Sequence, residues 1–305
     1  MTLVRYRLPV MLVVLAAAIT GCAGVGSRAV VETSTPTVSP SPLATETPTP
    51  VATPTATPDW TALPEPANDA ETLGRQLAMV EAAIRDPSVE GAQLGYVGHL
   101  QQLVYARLRD YPEWRDTVLA GLPATTREAV LGALEAGRQL RLIPGPVPRK
   151  LPDWKILDAK PIDTLLSYYK EAEKAYGVGW EYLAAIHLVE SRMGRIHGLS
   201  TAGAQGPMQF IPSTWAAYGT GDINDDHDAI LAAARYLKAA GARSDIRAAL
   251  LAYNHSTGYV NALMAYAAVL RSTPDEYRGY HGWQVYYTTQ DGTVLLPVGW
   301  TKPTS

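Results

Sequence analysis

Residues 180–194 read Trp180-Glu181-Tyr182-Leu183-Ala184-Ala185-Ile186-His187-Leu188-Val189-Glu190-Ser191-Arg192-Met193-Gly194. Apolar residues recur through this stretch at helical spacing, which predicts one helix from about Trp180 through Ser191 that closes at Gly194. The helix before it covers Ile162 to Tyr176, and Gly177 ends it. Leu183, Ile186 and His187 stand seven, four and three residues before Glu190, so the carboxylate shares a face with apolar side chains. Partial desolvation against that face and the negative end of the helix dipole both disfavour its ionised form. A carboxyl kept protonated near neutral pH can donate a proton. The competing reading is an ordinary, partly exposed carboxylate at a helix end, the commoner state of an isolated glutamate, and spacing alone does not decide between them.

Two further stretches keep Glu190 company. Ser200-Thr201-Ala202-Gly203-Ala204-Gln205-Gly206-Pro207-Met208-Gln209-Phe210 is a loop punctuated by glycines that allow close backbone approach to a ligand. Ala252-Tyr253-Asn254 closes a later apolar helix. With Glu190-Ser191, Gly206-Pro207-Met208-Gln209 and Ala252-Tyr253-Asn254 in that order, the chain resembles the lytic transglycosylases, peptidoglycan-cleaving relatives of goose-type lysozyme. The resemblance spans roughly residues 150–300 and is densest between Tyr176 and Tyr259. It is greatest to secreted forms in which Pro207 follows the loop glycine and Ile211-Pro212-Ser213-Thr214-Trp215 comes next. The chain departs at His255-Ser256, where many relatives carry Ala-Gly.

The resemblance implies a mainly α fold with a lysozyme-like catalytic domain. It also implies a reaction in which Glu190 protonates the glycosidic oxygen between N-acetylmuramic acid and N-acetylglucosamine. The N-acetyl group would steady the developing cation, and Glu190, now a base, would deprotonate the muramyl 6-hydroxyl, which closes a 1,6-anhydro ring on C1. An intramolecular hydroxyl has a high effective concentration, so the second carboxylate usual in glycoside cleavage is dispensable. Ser191, Met208, Gln209, Tyr253 and Asn254 are the substrate-binding residues implied, with Met208 placed nearer the floor or core. No cofactor and no metal is expected. The alternatives are a lysozyme-type muramidase, which adds water, and a catalytically silent wall-binding module.

The chain has 305 residues, 47% apolar and 18% charged, enough for a sizeable core. A net charge of −3 without any run of Lys and Arg argues against nucleic acid as a partner. Seventeen Tyr and seven Trp against one Phe favour rings with a polar handle, which suit sugar binding. The single cysteine, Cys22, excludes a disulfide framework and a multi-cysteine zinc site. It follows Arg5, Arg7 and the apolar run Leu8–Ile19, which has the length of a signal-peptide core and falls short of a membrane span. Ile19-Thr20-Gly21-Cys22 resembles the lipobox of bacterial lipoproteins, so residues 1–21 are expected to be a removed leader and Cys22 a lipid-bearing terminus. The expected place is the cell envelope, outside the cytoplasm, with the membrane and peptidoglycan glycan strands as partners.

Residues 22–59 form a Pro/Thr-rich linker, with seven prolines between Pro36 and Pro58. The linker is expected to be disordered, and its stretch Glu32–Pro58 extended, reaching at most roughly 80 Å at about 3.1 Å per residue. A helical subdomain is expected over 60–145. Its stripes are Leu73, Leu77, Val80, Ile84 and then Leu100, Leu103, Val104, Leu108, followed by a helix Thr126–Leu142 capped by Thr125 or Thr126. Its charges read as solvated helix faces. Pro144, Pro146 and Pro148 mark a boundary, residues 146–272 the catalytic domain, and 273–305 a β-hairpin signalled by Asp291-Gly292. Asp222, Asn224, Asp225, Asp226 and Asp228 fail as an EF-hand loop, since His227 stands at the sixth position and Ala233 at the twelfth. Asp228 or Asp226 is expected to cap the following helix, unless one of the aspartates activates a water. His187 reads as a core histidine, and His197 and His255 as loop residues.

Overall fold

The computed structural model describes residues 59–302 and the backbone of Arg5–Tyr6. The rest of the expected leader, Cys22 and the linker up to Pro58 lie outside the described residues. Arg5–Tyr6 forms a two-residue strand, β1. The first helices are α1 (Ala70–Arg85), α2 (Gly91–Asp110), α3 (Arg115–Leu119) and α4 (Ala124–Arg141). Strand β2 (Lys155–Ile156) precedes α5 (Ile162–Tyr176) and α6 (Trp180–Ser191), and β3 (Ile196–His197) follows. Then come α7 (Pro212–Tyr218), α8 (Asp226–Ala239), α9 (Ile246–Tyr253), α10 (Thr257–Ser272) and α11 (Glu276–His281). The hairpin β4 (Val285–Thr289) and β5 (Gly292–Leu296) ends the described chain. The fold is α-rich and lysozyme-like, as the sequence implies. None of the described helices is long and apolar enough to cross a membrane.

Local chemistry sets the element ends. Asp69 caps α1 by accepting from the Thr72 amide at 2.8 Å, and the helix stops before Asp86-Pro87. Gly177, at φ 73°, gives α5 its left-handed exit. The expected threonine cap on α4 is not used. That helix starts two residues earlier at Ala124 behind Pro123, whose carbonyl accepts from Arg127, and Thr126 is buried inside the first turn. A short 3-10 turn, Pro112–Trp114, leads into α3, an element without a sequence signal of its own.

Both expected stripes of the first helices are buried, and one core runs from Leu73 on α1 to Trp283 before the hairpin. Helix α10 packs on α4 and α6, so residues on either side of the proline-rich stretch at 144–148 share that core. Helix α6 is buried all round, from Leu183 to Ser191, and is not an amphipathic surface helix. The hairpin pairs Thr289 with Gly292 at its turn, and β5 also pairs with β1. One hairpin face covers Ile156 and Ile196 with Val285, Val294, Leu296 and Trp300, and the other meets Leu103 through Tyr286 and Leu295.

The charges of α1 are not all solvated. Glu81 is buried, with Arg85 beside it, and both reach Glu276 of α11 through a shared network. Gln101 donates to Glu81 at 3.1 Å and to Glu276 at 2.9 Å, Tyr105 donates to Glu81 at 2.9 Å, and the Trp283 indole donates to Gln101. Burial and the facing Glu81 charge push the Glu276 carboxyl up to about 8.

Helix α2 and α11 approach backbone to backbone at Gly98. A Cβ there would lie 2.4 Å from the Gly279 carbonyl oxygen and 2.8 Å from the Gly282 Cα. Gly98→Ala is expected to destabilise the fold by about 1–3 kcal/mol through forced separation of the two helices. Gly95→Ala, where nothing lies within 4 Å of the new methyl, is the control. Thermal denaturation followed by circular dichroism compares the two.

Candidate active site

Helix α6 delivers Glu190 at its last turn and then reverses sharply. Arg192 and Met193 take φ of 55° and 59°, and Gly194 follows at 82°. Three successive left-handed residues turn the chain back under the helix end. Ser191 secures that reversal: its Oγ accepts from the Gly194 amide at 3.0 Å and donates to the Pro207 carbonyl at 2.6 Å. It is fully buried, so of the expected substrate-binding residues it is one that does not face the pocket.

The glycine-punctuated loop closes on itself through paired backbone bonds between Gln205 and Phe210, at 3.0 and 2.9 Å. Gly206 has φ 75°, and a Cβ on it would stand 1.9 Å from the Ile223 carbonyl, so only glycine fits. Gln209 also takes a positive φ, 49°, and its Nε2 donates to the Gly206 carbonyl at 2.9 Å. Met208 points into the core and is fully buried. Its role is packing beneath the site, in line with a floor position and not with substrate contact.

Helix α9 brings the third motif. The Tyr253 hydroxyl donates to the Met208 carbonyl at 2.7 Å, which ties the end of α9 to the loop. Tyr236 of α8 donates to the Ala252 carbonyl at 2.7 Å, and Phe210, Tyr253, Tyr236 and Tyr218 form a run of edge-to-face rings. The result is a cavity of about 220 Å³ whose wall includes Glu190, Gln209, Tyr253 and Asn254 together with Phe210, Thr214, Tyr236 and His255. Four of the six expected catalytic and substrate-binding residues therefore meet at one pocket, and Ser191 and Met208 support it from below.

Glu190 is 3% exposed. Its Oε1 accepts from the Tyr259 hydroxyl at 2.6 Å, and Oε2 has no hydrogen-bond partner. Burial pushes the carboxyl up to about 8, against the opposing pull of the Tyr259 hydrogen bond, which favours the anion. Tyr259 was not among the candidates. It sits 69 residues after Glu190, three positions into the cap of α10, where Ser256 accepts from its amide, and no motif marks it.

The acidic stretch folds as turn chemistry. The cap of α8 is Asp225, accepting from the His227 and Asp228 amides at 2.9 and 3.2 Å, and not Asp226 or Asp228. Asp228 accepts from the Asp222 amide at 2.8 Å, and Asp222 from the Asn224 amide at 2.9 Å. Ligand atoms of Asp225, His227 and Asp228 do converge within 4.8 Å, yet both carboxylates are engaged by backbone amides and the His227 ring meets Glu171 at 2.9 Å. Asp226 lies 3.2 Å from the Nε2 of His187, whose Nδ1 meets the Tyr169 hydroxyl at 2.7 Å in the core. None of these aspartates lines the pocket, so the expectation of a water-activating partner among them is not met.

Residues 167–271 match the family model described as the Transglycosylase SLT domain. Neither the curated proteins nor the solved structures gave a match. Glu190 and the whole pocket wall fall inside the matched stretch, so the site lies within the segment similar to the transglycosylase SLT domain, consistent with a lytic transglycosylase catalytic domain.

Proposed function

We propose that the chain is a peptidoglycan lytic transglycosylase that cleaves the β-1,4 bond between N-acetylmuramic acid and N-acetylglucosamine and leaves a 1,6-anhydromuramyl end. The observation that carries this reading is the division of labour on Glu190. One carboxyl oxygen is held by Tyr259, the other has no partner, and Glu190 is among the residues that line the pocket. Held neutral by burial, the group arrives at the substrate with its proton and passes it to the glycosidic oxygen as the bond to C1 breaks. The carboxylate so formed is stabilised by the Tyr259 hydroxyl and takes the proton of the muramyl 6-hydroxyl, whose oxygen closes on C1. Proton and electron count balance within the sugar and Glu190, and no water is consumed.

Among the described pocket-lining residues Glu190 is the single carboxyl. That favours the one-carboxylate lyase over a muramidase, which ordinarily requires a second acidic group to hold or replace the attacking water. Gln209, Asn254 and the aromatic run through Phe210, Tyr253 and Tyr236 offer donors, acceptors and ring faces suited to acetylated sugars. Anchoring through a lipid on Cys22, with the linker as a stalk, would hold this site outside the cytoplasm near the wall. The support for that placement is the lipobox-like Ile19-Thr20-Gly21-Cys22 and the uniqueness of the thiol.

Purified sacculi digested with the chain are expected to release 1,6-anhydromuropeptides by mass spectrometry. Glu190→Gln should lower that release by at least about 100-fold, the usual weight of a general acid. Products bearing one added water would instead identify a muramidase.

The pH profile gives an independent check. Because the acid must be protonated, kcat/KM is expected to fall as pH rises through about 8. Tyr259→Phe removes the donor that favours the anion, so this alkaline limb should move to higher pH while the plateau rate drops. A limb near pH 4 to 5 in the parent enzyme would contradict a buried acid.

A further inference from the structure

The pocket wall carries one basic side chain. His255 lines it and is exposed, while no Lys or Arg is among the described lining residues. Its backbone is unusually well held for a connecting residue. Asn254 is the C-cap of α9, with its amide bonded to the Leu250 carbonyl, and Ser256 is the N-cap of α10. The Ser256 amide bonds back to the Asn254 carbonyl at 2.7 Å. A one-residue junction between two capped helices leaves the backbone little freedom, so the imidazole is presented from a fixed base. The same junction leads within one turn of α10 to Tyr259, which holds Glu190. The positive end of the sixteen-residue α10 begins at this rim as well, beside His255.

These features describe a place for negative charge at the edge of a sugar pocket. The N-acetylmuramyl unit is the sugar that differs from N-acetylglucosamine by a lactyl ether, which ends in a carboxylate when free and leads to a carboxylate-bearing peptide when substituted. We propose that His255, with the N-terminus of α10, is a specificity residue that recognises a carboxylate on the muramyl side chain and so sets which sugar is seated beside Glu190. This inference deepens the lytic transglycosylase reading and rests on it. The bond it makes is charge-assisted, present in muramyl substrates and missing in purely N-acetylglucosamine chains.

Binding measured without cleavage tests this. In the full chain carrying Glu190→Gln, calorimetry compares glycan strands stripped of peptide, the same strands with their lactyl carboxylates converted to neutral amides, and peptide-bearing strands. Amidation is expected to weaken binding by about ten-fold, the usual worth of a hydrogen bond to a charged group. Adding His255→Ala should reduce that penalty to less than about two-fold, and His255→Lys in its place should restore it. A ten-fold advantage for stripped strands assigns the lactyl carboxylate, and one confined to peptide-bearing strands assigns the stem. Equal penalties with and without His255, or no binding of any strand, overturn the proposal. Failure of the underlying reading is separate, since it shows as absence of 1,6-anhydro products from the chain with Glu190 intact.

Discussion

One hydrogen bond, from the Tyr259 hydroxyl to Glu190, joins α10 to the end of α6 and divides the two carboxyl oxygens between structure and chemistry. It matters because two opposed effects meet on one group. Burial alone would make Glu190 a permanently neutral side chain, able to give a proton but poor at taking one back. A phenol donating to it lowers the cost of the anion without exposing the group to water. The remainder of the site is arranged so that this bond keeps its length.

That arrangement is a closed set of bonds to backbone carbonyls. Ser191 fastens the end of α6 to Pro207, Tyr253 fastens α9 to Met208, and Tyr236 fastens α8 to Ala252. Side chains that donate to main-chain oxygens fix where a loop lies with little dependence on neighbouring side-chain rotamers. The loop itself accepts left-handed backbone at both Gly206 and Gln209, a conformation that a freely exposed loop would not hold. Strain in the loop and bonds around it are two sides of one device, in which surrounding helices over-determine a turn that positions a reacting group.

The parts of this design that were legible in the sequence are those with local causes. Helix α5 and the start of α6 follow from apolar spacing and Gly177, α1 ends at Asp86-Pro87, and the hairpin turns at Asp291-Gly292, each a statement about a few adjacent residues. Glu190 stands out through the company of Gly206-Pro207-Met208-Gln209 and Ala252-Tyr253-Asn254, since its apolar neighbours alone do not decide. Tyr259 does not, because its partner is on another helix and an aromatic residue in a first turn has no distinctive pattern. The α8 cap is Asp225 where Asp228 or Asp226 is expected, because every member of that run of aspartates is an acceptable cap, and tertiary contacts turn Asp226 to His187. Ser191, implied as a substrate-binding residue, is part of the buried scaffold for a related reason. A motif records that residues act together and is silent on which of them are the scaffold. The buried Glu81 shows the same limit, since its burial comes from Glu276 and Gln101, on two other helices.

The polar knot of Glu81, Arg85, Gln101, Tyr105 and Glu276 joins segments separated by almost two hundred positions in the chain. Its consequence concerns the order in which the molecule is made. As the polypeptide emerges from the ribosome, α1 and α2 appear first, with Glu81 paired to Arg85, while Arg85 and Gln101 wait for Glu276 until α11 is made. Contacts of such long separation form late, because the loop between them must first be closed. Completion of this knot therefore awaits α11, and a protein cut short before it would leave Arg85 and Gln101 without their Glu276 contacts.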